Sequence, residues 1–232
     1  MKKEIRIDEL RVMMLDALAL RGIGSEDADF IVDDFLDAEL EGHKTHGVSK
    51  FLTIDIGLSG REGSIEIVSR TGGHAKIDGH RELGHIAARQ AAALSAELAK
   101  EHGVGLVALT NVSRYARLVP YSRLIAERGC IGIVTNNGGP AHVVPFGGSA
   151  PMFGTNPLSF GFPQGEKPPL LFDFATAQGV WGELRQAIVE ERSLPERTFL
   201  DAAGAFTTDP QRVQGVLPFG GCLLYTSDAA DE

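Results

Sequence analysis

The chain has 232 residues, 43% of them hydrophobic and 23% charged, with a formal charge of −9. These proportions suit one large folded domain or two small ones and argue against extended disorder; the acidity argues against a nucleic-acid partner. No apolar run reaches the roughly eighteen residues of a membrane span, and no apolar stretch follows Lys2 and Lys3 as in a secretory leader, so the cytoplasm is the default compartment.

Asp8 can cap a helix over residues 9–20, in which Leu10, Met13, Met14, Ala17 and Leu18 recur at helical spacing. Gly22 and Gly24 end it. Ser25 can cap a second helix whose apolar face is Ala28, Ile31, Val32, Phe35, Leu36 and Leu40, with Glu26 and Asp27 favouring its N-terminal dipole. The segment Gly42-His43-Lys44-Thr45-His46-Gly47-Val48 follows, then apolar residues 48–56 that suggest a short helix. Residues 61–82 read as a β-hairpin turning at Gly72-Gly73. Residues 83–102 are Ala-rich and helical, 105–109 a strand, 120–128 a helix opened by Pro120, and 131–135 a second strand. A long Gly/Pro/Asn loop spans 136–157. Strands are expected at 158–162 and 170–174 and a helix at 178–191; from Ser193 onward the chain reads as loop, with a turn at 207–210. Of the two cysteines, Cys130 sits in an apolar run and reads as a small core residue. The last eleven residues, from Cys222, break with what precedes them and resemble a translated sequencing adapter. On that reading they are foreign and the native chain continues beyond Gly221 elsewhere.

Several constellations admit a chemical reading beside a plain one. Histidine exchanges protons near neutrality, so Thr45-His46 between two glycines is a place to protonate a substrate oxygen; a loop histidine can equally be solvated or a supporting hydrogen-bonder. His43 and His46 lie three apart without a carboxylate or cysteine at a supporting spacing, so no metal site is expected. Gly103-Val104-Gly105-Leu106-Val107-Ala108 matches the dinucleotide fingerprint by letter, but it ends a helix and begins a strand, the reverse of what phosphate binding requires. The 136–157 loop is longer than a compact domain tolerates without a use; its glycines and asparagines suit a polar ligand, or an elaborate turn. Asp173, at the end of an apolar strand, can meet a ligand or cap the next helix.

Together these segments resemble the malate/L-lactate dehydrogenase family of NAD(P)-dependent oxidoreductases, which is unrelated to the Rossmann lactate dehydrogenases. The residues that carry the likeness are Gly42–Val48 against G-H-x-S-H-G-V, Val144-Pro145-Phe146-Gly147-Gly148, Gly154-Thr155-Asn156-Pro157, Asp173-Phe174-Ala175-Thr176 against D-x-A-T-S, and Leu217-Pro218-Phe219-Gly220-Gly221. The resemblance implies an α/β (α+β) fold: a helical N-terminal part plus a mixed, mostly antiparallel sheet with flanking helices and a non-Rossmann cofactor domain. It implies hydride transfer between NAD or NADP and a small 2-hydroxy or 2-oxo acid, or a related imino acid, in a homodimer. By residue matching His46 is the acid/base, with Thr45 and Asp173 beside it. Lys50, Arg114 and Arg117 bind the substrate carboxylate, and Gly138, Gly154, Thr155, Asn156, Asp173, Phe174, Ala175 and Thr176 hold the cofactor. Arg114 stands where the family's N-x-S-H motif has histidine, which leaves open a ligand-binding homologue impaired in catalysis. The expected organisation is a substrate-site region over 1–72 and an incomplete NAD(P)-binding sheet domain over 73–221, with 222–232 foreign. The family chain runs on by roughly a hundred residues.

Overall fold

A computed structural model describes residues 4–137 and 139–220. The chain divides into two units, Met1–Gly132 with Gly161–Leu171, and Ile133–Phe160 with Phe172–Glu232. The boundary expected between residues 72 and 73 falls inside a hairpin of the first unit.

The first unit starts with the expected helical pair, α1 (Ile7–Ala19) and α2 (Ser25–Leu40). Met14 and Leu18 from α1 close on Ile31, Val32 and Phe35 from α2, and the Phe35 ring meets Phe51 edge-on at 5.5 Å. Removing this surface from water is the main force holding the pair, and the edge-on rings add about 0.5–1.5 kcal/mol. The caps differ from expectation. Asp8 and Ser25 lie inside the first turns, while Arg6 and Gly24 occupy the cap positions without side-chain bonds. Asp8 is engaged by Arg6 at 3.0 Å, and a nearby guanidinium competes well for a carboxylate that would otherwise cap. The single short helix expected after the histidine segment is two, α3 (Val48–Phe51) and α4 (Ile54–Leu58).

The hairpin forms as β1 (Glu66–Thr71) and β2 (His74–Asp78), antiparallel with a bulge between Ile67 and Ser69. Helix α5 (Gly84–His102) carries the chain back so that β3 (Leu106–Thr110) pairs parallel with β2. Ala91, Leu94 and Leu98 of α5 cover Ala75 and Ile77 of the sheet. The two glycines of the false dinucleotide fingerprint have separate structural tasks. Gly103 ends α5 at φ +82°, and a Cβ on Gly105 would lie 1.9 Å from the Ser95 carbonyl oxygen. Helix α6 (Val119–Glu127) follows, with Pro120 in its first turn. Cys130 is only half-buried, its thiol 3.8 Å from the Ala96 carbonyl oxygen.

A second sheet orders β4 (Gly132–Thr135), β5 (Leu158–Gln164) and β6 (Lys167–Phe174). Helix α7 (Trp181–Val189) is shorter than expected. The region read as loop from Ser193 holds an antiparallel pair, β7 (Phe199–Asp201) and β8 (Val213–Val216). Three- and four-residue strands are too short to display a period. What fixes them is the core they enter, where Phe199, Val213 and Val216 pack with Val143, Leu184 and Ala187. Asp201 accepts the N–H groups of Ala203 and Ala205 at 3.0 Å and so shapes the turn that follows. Among the described residues no helix is long and apolar enough to cross a membrane.

Candidate functional site

The histidine segment is held by its own backbone and by α2. His43 N–H bonds the Ala38 carbonyl at 2.8 Å, and His46 N–H bonds the His43 carbonyl at 2.8 Å. Glu39 accepts the Val48 N–H at 3.0 Å, and a Cβ on Gly47 would lie 2.1 Å from that carboxylate, so a larger residue there displaces the Glu39 side chain from this bond. The Thr45 hydroxyl lies 3.0 Å from His46 Nδ1. With Nδ1–H donated to the Thr45 hydroxyl oxygen the Nε2 lone pair is free to accept; with the reverse polarity Nε2 carries the proton. Burial holds His46 below its ordinary basicity; the positive charges of Lys50 and Arg117 act the same way, and the Asp34 carboxylate opposes them. His46 therefore stays neutral to lower pH than a solvated histidine.

Beside it lies a buried charge cluster that sequence reasoning missed. Arg117, 7% exposed at its side chain, donates from Nε to Asp34 Oδ1 at 2.9 Å, from Nη2 to the Asp34 carbonyl at 3.1 Å, and from Nη1 to Glu41. This corrects the substrate role expected of Arg117. Its guanidinium is committed inside the protein because a buried cation without a counter-charge is costly. His85, the second residue of α5, places Nε2 3.4 Å from Asp34 Oδ2. Asp34 was legible only as an acid on a core stripe, spaced with Ile31, Phe35 and Ala38.

A narrow cleft with a cavity of about 20 Å³ opens in the same unit, lined by Lys50, His85, Arg114 and Tyr115 over an apolar floor that includes Phe35 and Leu83. The structure thus brings together two of the three cations assigned to the substrate carboxylate, Lys50 and Arg114. Burial pushes the Tyr115 phenol up to about 12, so it remains a neutral hydroxyl. Two cations over an apolar floor suit a small organic acid. Among the described residues no three metal-ligating side chains cluster.

The second unit collects the other motifs. Thr176 donates its hydroxyl to the carbonyls of Thr155 at 3.0 Å and Asn156 at 2.9 Å, and its N–H to Thr155 at 2.8 Å. This single residue ties the 154–157 turn to the 173–176 segment. Phe219 N–H bonds the Thr176 carbonyl at 2.9 Å, and the Phe174 ring packs 5.4 Å from Phe219. Gly154, Thr155, Asn156, Phe174, Ala175 and Thr176 therefore form one neighbourhood, each half-buried. Asn156 sits at φ +34° with its Oδ1 buried and, among the described residues, without a hydrogen-bond partner. Asp173 is exposed near the end of β6 and is not a helix cap, because α7 begins at Trp181 after Val180. Gly138, also expected in this group, lies outside the described residues.

The family described as malate/L-lactate dehydrogenase matches the chain over residues 5–225. L-sulfolactate dehydrogenase of Methanocaldococcus jannaschii is 35% identical over 215 residues, which cover 90% of this chain and 62% of that protein. Delta(1)-pyrroline-2-carboxylate reductase 1 of Burkholderia ambifaria is 28% identical over 227 residues, covering 94% and 65%. The solved sulfolactate dehydrogenase from Methanocaldococcus jannaschii superposes with a TM-score of 0.83 at 32% identity, over 97% of this chain and 67% of that one. The chain spans less than two thirds of the length of the curated relatives it matches first, 62% and 64%.

Proposed function

The chain belongs to the malate/L-lactate dehydrogenase family, and from that premise we propose that the whole protein transfers a hydride between NAD or NADP and a small 2-hydroxy or 2-oxo acid, or a related imino acid. The observation that carries this reading is the meeting of Lys50 and Arg114 in one cleft of the unit that holds the Thr45-His46 pair. Arg114 binds the substrate carboxylate with its two-pronged guanidinium, and Lys50 adds a point charge. As the imidazolium, His46 gives a proton to the oxygen as the carbonyl is reduced, and as the neutral ring it takes that proton back in the reverse direction. Burial favours the neutral ring, and an Nδ1–H donated to the Thr45 hydroxyl oxygen leaves the Nε2 lone pair free to take the proton.

A bound nicotinamide supplies the hydride. The 154–157 and 173–176 segments fit such a ligand, because the buried Asn156 Oδ1 lacks a hydrogen-bond partner among the described residues and suits a ligand N–H or O–H. Asp173 accepts from a ribose hydroxyl, and Phe174, Ala175 and Thr176 line the same edge. We read the protein as a cytoplasmic homodimer on the resemblance alone; sedimentation of the purified protein tests the oligomer.

The deciding experiment offers the purified protein NADH and NADPH with a panel of 2-oxo acids and with pyrroline-2-carboxylate, following absorbance at 340 nm, the usual nicotinamide band. Turnover that His46→Ala abolishes while cofactor binding persists is expected. Undiminished NAD(P)H binding without turnover on any acid would establish instead a ligand-binding homologue, the reading that Arg114 in a histidine position favours.

A further inference from the structure

We propose that His85 is a substrate-binding residue of the Lys50–Arg114 cleft, its Nδ1 meeting the hydroxyl of a bound 2-hydroxy acid while Nε2 faces Asp34; this rests on the carboxylate reading of that cleft. His85 is 3% exposed, lies against Phe35 at 5.2 Å between ring centroids, and lines the cleft. Neither ring nitrogen makes a hydrogen bond among the described residues, and neither does Asp34 Oδ2, 3.4 Å from Nε2. A buried imidazole with both nitrogens unmet is disfavoured against a phenyl or isobutyl group of similar size. Its presence at a cleft lining is accounted for if a ligand completes it.

The neighbouring charge decides which nitrogen the ligand meets. Asp34 Oδ1 and the Asp34 carbonyl are held by Arg117 at 2.9 and 3.1 Å, so Oδ2 is turned to His85 by a fixed frame. A carboxylate beside Nε2 favours the proton there and leaves the Nδ1 lone pair as an acceptor. An acceptor beside two cations selects an acid whose neighbouring carbon bears an O–H; this is the contact of the bound acid before reaction, and the O–H turns to His46 when its proton is transferred. Asp34 is then a positioning residue, acting through the ring.

The test uses glycolate and acetate, which differ by that hydroxyl, added to the whole chain with nitrogen-15-labelled histidine. Glycolate is expected to move the His85 Nδ1 signal and to bind about tenfold tighter than acetate, the worth of one hydrogen bond. His85→Phe should erase the preference while keeping the melting temperature. Asp34→Asn should shift the Nε2 signal, which a packing role would not. A preference that survives in His85→Phe, together with an unmoved ring signal in the unsubstituted protein, overturns the proposal; binding that then fails in Lys50→Met or Arg114→Met leaves the carboxylate cleft standing. If neither acid binds the unsubstituted protein, the proposal and the carboxylate reading fall together. Should the variants not fold, the ring signal of the unsubstituted protein decides alone.

Discussion

The two units hold their functional residues by different means. In the first, side chains hold side chains: Arg117 grips Asp34, Asp34 faces His85, and Thr45 sits on His46. In the second, the backbone does most of the holding, with Thr176 bonded to two carbonyls and the turn at Asn156 bent through a positive φ. On the proposed function, the difference follows from what each presents. A proton-transfer group and a carboxylate grip need charges at fixed places, and charges inside a protein stay put only when countered. A cradle for a large polar ligand needs close approach of main chain, which small residues and tight turns allow.

If that contrast is right, substitutions in the first unit act mainly through charge and those in the second through backbone shape. The largest effect is expected from His46→Ala, a fall of about 10²–10⁴-fold in the turnover of the whole enzyme with cofactor binding intact; a steady-state assay beside a cofactor titration measures both. Asp34→Ala leaves the buried Arg117 without its main partner and should lose about 3–5 kcal/mol of stability, read from urea midpoints. Gly105→Ala drives a Cβ into the Ser95 carbonyl, forces β3 away from α5, and should lose about 1–3 kcal/mol by the same measurement. Thr176→Val removes one donor shared by two carbonyls, and about 1 kcal/mol is expected. An intact melting curve together with weakened NAD(P)H binding in that variant would sharpen the contrast, since the residue shapes the cradle.

The smallest effect is on pH. Burial lowers the basicity of folded His46 beneath its ordinary value of 6.5, so near that pH the unfolded chain binds more protons than the folded one. Stability is complete above pH 6.5 and is lost as pH falls from there toward the folded value. His46→Gln should flatten this slope, and melting temperatures between pH 5 and 7.5 check it. A slope that persists unchanged would place its origin in another group.

Much of this was legible in the residues. The helical pair follows from apolar spacing at 28, 31, 32, 35 and 36, and the hairpin from alternation around Gly72-Gly73. The misplaced cap at Asp8 and the missed pair β7 and β8 share a cause. Each depended on which partner won a local competition, and the winners, the Arg6 side chain and the core around Val143, are not marked by spacing. At the site, the Thr45-His46 pair and the Lys50–Arg114 meeting were expected, whereas Arg117 was given to the wrong carboxylate. An arginine near a presumed substrate and an arginine near a buried acid look alike when the acid is 83 residues away in the chain.

The sequence by itself determined the long elements, the family and the residue types available for hydride-transfer chemistry, because periodicity and short motifs are local properties of the chain. Only the tertiary structure decided that Arg117 belongs to Asp34, that His85 shares a cleft with Lys50 and Arg114, and that Thr176 joins two distant turns. Those pairings depend on contacts between residues far apart in sequence, where the cost of an unmatched buried charge or an unpaired carbonyl selects the partner.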